Sequence, residues 1–295
     1  MAQAYDTSRL ATTEEALIVL FCLVDDAYAM RNSNDARRYE SLKRVSDSEV
    51  ITLALFQQLR GVESERSFLR DVQRFFSPLF PGVAGLHPSS FHRRVRKLRR
   101  FLEPLRRDLV AELVGDPETL IVDLTLLSVL HPRQIKQSPG FDGAAWVRWD
   151  SFSVYGVKLP LICTTNRVPI SYELSAANVA EERLAEELLV GANLGGDVAR
   201  RLLGDLVYRS EALEEALAGC GVLLVTERSR QSGKRQQVEI ALASLKQVFG
   251  IGESLAKTLV GLATRIAAKV AAYTYAFLVN RRLGRPQGRI KDLWA

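Results

Sequence analysis

Thr119-Leu120-Ile121-Val122-Asp123-Leu124-Thr125-Leu126-Leu127 decides the fold of this chain. The run is aliphatic and β-branched, follows the turn residues Asp116-Pro117, and reads as the first strong strand in the sequence. An aspartate stands in the middle of it. Burying an unpaired carboxylate costs several kcal/mol unless a cation or hydrogen bonds compensate, so Asp123 needs an explanation beyond folding.

Upstream of this strand nothing alternates at period two, and residues 1–114 read as all-helical. Thr12-Thr13-Glu14-Glu15 is a capping box opening a helix to about Met30, followed by a polar connector over residues 31–35. Ser46-Asp47-Ser48-Glu49 is a second capping box, and Gly61 is a plausible stop for its helix. A third helix spans residues 67–76. Ser89 or Ser90 then caps a long helix through Phe91, Val95, Leu98, Phe101, Leu105 and Leu109.

Downstream, the texture is mixed. Residues 149–164 supply a strand around Tyr155-Gly156-Val157-Lys158-Leu159, and residues 168–174 return after an Asn166-Arg167 turn as a hairpin. Residues 181–189 are helical. Leu202-Leu203-Gly204-Asp205 is a short strand ending on a carboxylate, residues 210–218 are helical, and residues 221–226 form another strand. After a polar loop come an amphipathic helix over residues 234–249 and an Ala-rich helix to Asn280. A meander followed by strands alternating with helices implies an α/β mixed sheet flanked by helices. The division expected is a helical, DNA-binding part over residues 1–114, a sheet domain over 115–280 and a basic tail over 281–295.

The net charge is +6, but the cations cluster. Residues 91–107 hold eight Lys/Arg against Glu103 alone, residues 228–269 hold eight against Glu239 and Glu253, and the tail holds five against Asp292. Such clustering favours a polyanion, nucleic acid ahead of a membrane surface. On the long helix, Arg93, Arg94, Arg96, Lys97, Arg99 and Arg100 must mostly project outward. A helix-turn-helix contact with DNA and an ordinary solvated face explain them equally well. Cys22, Cys163 and Cys220 show no paired spacing, so free thiols in a reducing, cytoplasmic setting are expected. Lys257, Arg265 and Lys269 interrupt the apolar run near the C-terminus, which therefore reads as a buried helix and not a membrane span.

Asp205 ends a strand at the carboxyl edge of the sheet, where α/β folds place ligands. Glu239 comes from the amphipathic helix, with Arg235 one turn before it and Lys246 two turns after it on one face. Two carboxylates on strands and one on a helix make an all-oxygen set suited to Mg²⁺ or Mn²⁺. Taken singly, the plain alternatives are a partly exposed sheet residue, a strand-end turn and a helix salt ladder.

Asp123, Asp205 and Glu239, with Arg235 four before the glutamate and Lys246 seven after it, resemble a DDE transposase of bacterial insertion sequences with its R-x3-E-x6-K helix signature. The resemblance extends to residues 46–54, Tyr155-Gly156-Val157-Lys158, Ala177-Asn178 and the closing helix. It implies an RNase H-like catalytic domain and metal-dependent cleavage of element ends, then 3′-hydroxyl attack on target DNA. Asp123, Asp205 and Glu239 would be the catalytic metal ligands, while Arg235, Lys246 and Lys158 would contact DNA. The implied partner is double-stranded DNA, engaged by a homodimer or larger assembly and located on the nucleoid. The chain departs from the family's usual pattern at Leu206-Val207, at Ser232 and at Val179-Ala180. Two further readings stay open, a DNA-binding protein derived from a transposase and an RNase H-like nuclease without strand transfer.

Overall fold

A computed structural model describes residues 12–31, 43–130, 139–149, 152–192, 200–226, 233–253 and 255–293. Most of the polar connector after the first helix, and the loop at residues 227–232 with Ser232, lie outside them.

Among the described residues four α-helices come first: α1 (Thr13–Arg31), α2 (Asp47–Leu59), α3 (Glu65–Phe75) and α4 (Pro88–Val114). Both capping boxes form. The Thr12 hydroxyl accepts from the Glu15 amide and the Glu15 carboxylate accepts from the Thr12 amide; Ser46 and Glu49 repeat the exchange at α2. At α4 the expected serine cap is replaced by His87, whose Nδ1 accepts from the Ser89 amide. Pro88 is the reason, since its fixed φ and missing N–H suit the first helical position and move the start two or three residues earlier than a serine cap would. Gly115, at φ 63°, ends α4 where the texture changes.

The sheet consists of β1 (Thr119–Ser128), β2 (Ala145–Trp149), β3 (Phe152–Thr164), β4 (Pro169–Tyr172), β5 (Ser175–Ala176), β6 (Arg200–Gly204) and β7 (Val222–Thr226). Its order is β2-β3-β1-β6-β7, with β4 and β5 also on the outer side of β3. β3 runs antiparallel to β1, while β6 and β7 run parallel to it. That is the RNase H-like plan of a meander followed by parallel strands. The sequence reading began a strand at Trp149 and missed β2, which is short and lies on the edge of the sheet.

Helices α5 (Glu181–Ala192), α6 (Glu211–Ala218), α7 (Gln236–Gln247) and α8 (Leu259–Arg282) complete the fold. α5 packs on β3 and β4, while α7 packs on β1 and β3. α8 is the hub: it packs against α1, α2, α4 and α7, so the helical segment and the sheet share one continuous core. By length and composition α8 could cross a membrane, yet 89% of its apolar window is buried inside the protein. Lys269 on α8 is buried too, its ammonium bonded to Glu63 and to the Phe249 carbonyl.

Candidate active site

β1 and β6 run side by side in parallel, with Ile121 level with Leu203. Two residues on, Asp123 and Asp205 therefore leave neighbouring strands at the same level, strands that lie about 4.8 Å apart. α7 covers this face of β1 and brings Glu239 from above. Arg235 precedes α7 and is buried at 6% exposure. Its guanidinium bridges the two outer carboxylates, Nη1 to Asp205 Oδ1 at 3.0 Å and Nη2 to Glu239 Oε1 at 3.2 Å. The Asp205 and Glu239 side chains are 45% and 46% exposed, so one edge of the cluster is open to an incoming ligand.

Asp123 is the inner member. Burial pushes its carboxyl up to about 6, and the charges of Glu239 and Asp205 push the same way against the Leu124 amide and Arg235. Its Oδ1 accepts from the Leu124 N–H at 2.8 Å. Three carboxylates thus share one guanidinium, an excess of negative charge that a hard divalent cation would offset. Among the described residues no three Asp, Glu, His or Cys side chains already form a metal cage. Arg235 stands between two of the candidates instead. The donor set fits a divalent ion in type, charge and access, while the ligands remain apart in this conformation.

Asp205 also caps a short 3-10 turn, Leu206–Tyr208, its Oδ1 accepting from the Leu206 amide at 2.6 Å. Non-glycine positive φ among the described residues occurs only at Arg167, so Val207 sits there without backbone strain. Tyr208 is a site residue that the strand-and-carboxylate pattern could not place. Its ring lies against Gly204, where an added Cβ would meet Cδ2 at 3.0 Å, and its buried hydroxyl has no hydrogen-bond partner among the described residues. Burial, with Asp123, Glu181 and Asp205, raises this phenol well above its ordinary range. The signal in the sequence was its position three residues after Asp205.

The cations assigned to DNA divide into two groups. Arg93, Arg96, Lys97, Arg99 and Arg100 are exposed on α4, and Lys246 is exposed on α7. Arg94 is turned inward, bonded to the Val45 carbonyl at 2.8 Å and to Asp47 at 2.5 Å, and does not belong to the DNA-facing set. Lys158 is corrected likewise. It pairs across the ladder with Leu126, of opposite parity to the Asp123–Leu161 pair, and so lies on the other face of the sheet. There its buried ammonium donates to the Val179 carbonyl at 2.9 Å and faces Glu181 at 3.4 Å. Arg235, expected to clamp DNA, is a bridge inside the carboxylate cluster.

The site is thus a mixed α/β sheet with Asp123 and Asp205 on neighbouring central strands and Glu239 on the helix that covers them. Residues 114–275 match the family described as Transposase DDE domain, and the chain belongs to that family. No curated protein matches the chain. Among solved structures it is similar to the piggyBac transposase synaptic complex with hairpin DNA, at 10% identity over 97% of this chain and 79% of that one, with a TM-score of 0.47. It is also similar to the Mos1 mariner paired end complex with Mn, at 10% identity over 92% and 97% of the two chains, with a TM-score of 0.30. Those scores are low, and the assignment rests on the family match.

Proposed function

We propose that this transposase cuts DNA at the ends of its element and joins the freed 3′-hydroxyl to target DNA, using divalent metal held by Asp123, Asp205 and Glu239. The observation that carries the reading is the Arg235 bridge: a buried cation that gathers two carboxylates beside a desolvated third. Bound Mg²⁺ or Mn²⁺ would supply activation of the attacking hydroxyl and stabilisation of the leaving oxygen.

The protein's own residues do the rest. Arg235 offsets repulsion between Asp205 and Glu239 and holds them at one edge, at bonding distances near 3 Å. The Leu124 amide fixes the Asp123 carboxyl, and the Asp205-capped turn fixes the second strand end. Exposed Lys246 and the outward arginines of α4 supply phosphate contacts that position the duplex without reading its sequence. A dimer or larger assembly on paired element ends belongs to the same proposal, as do a helical DNA-binding segment before Gly115 and a nucleoid location.

The test is a supercoiled plasmid carrying the coding region with its natural flanks, incubated with the protein and Mg²⁺ or Mn²⁺. Nicks at both flanks, plus joined products, are expected; chelator abolishes both. Nicks without joined products would leave a nuclease, and binding without nicks would leave a DNA-binding protein.

A further inference from the structure

The edge of the sheet carries a feature that the carboxylate centre does not use. β2 is the outermost strand, and Trp146 on it is 49% exposed. Large aromatics at an open edge are costly to solubility and normally lie covered. Trp146 is held in place, not left loose. Its ring packs on Tyr155 across the ladder, centroids 5.6 Å apart, and the Tyr155 hydroxyl donates to the Phe141 carbonyl at 3.2 Å. Arg148, two residues on, is exposed and pairs across the ladder with Ser153. It makes no ion pair with any described residue.

Strand parity places this group. Leu161 is opposite Asp123 and Tyr155 is opposite Trp146, and β3 keeps an unbroken register with both partners. Leu161 and Tyr155 are six residues apart, so Trp146, Tyr155 and Arg148 share the face that carries Asp123. The offset along β3 is about 20 Å, the span of about six stacked nucleotides.

We infer that Trp146, braced by Tyr155 and flanked by Arg148, is a stacking platform for an unpaired nucleotide of a DNA strand leaving the carboxylate centre. An exposed indole presents a flat face to any base, and a neighbouring guanidinium meets the next phosphate. The chemistry is indifferent to sequence, which suits a frayed or displaced strand. The inference rests on the proposed function, because it takes the polyanion at the carboxylates to be DNA.

Anisotropy titrations in chelator, with a blunt duplex and the same duplex carrying a six-nucleotide single-stranded overhang of either polarity, test it. The wild-type protein is expected to prefer one overhang. Trp146→Ala should weaken overhang binding by about five- to a hundred-fold, the worth of one base stack, and leave blunt-duplex binding and the thermal midpoint unchanged. Trp146→Phe should keep the preference, and Arg148→Ala should lower the salt slope on the overhang probe by about one. Unchanged overhang binding by Trp146→Ala, or no overhang preference in the wild type that still binds blunt duplex, overturns the platform and leaves the proposed function standing. No binding of the wild type to either probe overturns both. A change in the sedimentation of DNA-free protein on Trp146→Ala makes the edge a protein contact and overturns the platform alone.

Discussion

Two ionic clusters in this protein are each built on a buried arginine and differ in balance. At the junction of α4 with β4, Arg106 is fully buried; its guanidinium meets the Glu103 carboxylate through both Nε and Nη2 and donates to the carbonyls of Pro169 and Ile170. Arg107 adds a second cation to Glu103 at 3.0 Å. Every charge there has an answering group, so the cluster is closed and ties the basic helix to the sheet. At the carboxylate centre three acids share Arg235, two of them half-exposed. A fold that only needed cohesion has no use for a buried acid in its central strand beside two more carboxylates and a single cation. The excess of acid is what the proposed metal would offset, while the closed pairs serve cohesion.

The comparison can be broken first at Asp123. Asp123→Asn should lower metal-dependent cleavage about a thousand-fold or more, since a lost metal ligand forfeits several kcal/mol of transition-state stabilisation. Its thermal midpoint should hold or rise, because the substitution removes repulsion. A large fall in midpoint would make Asp123 a structural residue like Glu103.

Arg106→Ala should do the reverse, costing about 3 kcal/mol in urea unfolding by removing the buried donor to the Pro169 and Ile170 carbonyls and one of the two cations on Glu103. Loss of cleavage in a variant that unfolds normally would contradict a structural role.

The exposed arginines of α4 sharpen the contrast from outside. Replacing Arg93, Arg96 and Arg100 with alanine should weaken binding to all duplexes and reduce the salt slope by about three. Unchanged binding would make that face an ordinary solvated surface.

Acid separates the two clusters by sign. Burial alone would raise Glu103, but the hydrogen bonds and charge of Arg106, with Arg107, hold it below its ordinary value. Its contribution is therefore present at neutral pH and lost as pH falls through the carboxylate range. Asp123 is raised to about 6, so its cost is absent in acid and grows as pH rises from about 4 through 6. In metal-free buffer Asp123→Asn should gain on wild type over that window, and Glu103→Gln should approach wild type as pH drops below about 4. Parallel pH curves for the two variants would remove the distinction.

The smallest expected effect is at Lys246. Lys246→Ala should change stability by less than about 0.5 kcal/mol, as for an exposed cation, while lowering cleavage of the element's ends. Unchanged cleavage would retire its phosphate contact.

What the sequence determined by itself was local. The capping boxes at Thr12 and Ser46, the β-branched run through Asp123, and the helical spacing of Arg235, Glu239 and Lys246 all express periodicity and short-range hydrogen bonding. Asp123 stood out because a carboxylate in an aliphatic strand breaks the pattern around it, whereas Asp205 and Glu239 joined it only as a set with Arg235 and Lys246. Partnership was not legible. A lysine or arginine looks the same in sequence whether it meets solvent, a carbonyl or an acid far along the chain. Arg94 and Lys158 were drawn inward by Asp47, Val45, Val179 and Glu181, and Arg235 by Asp205, thirty residues away. Only tertiary packing decides which cations are spent on cohesion, because long-range charge pairing is set by where the backbone brings the elements together.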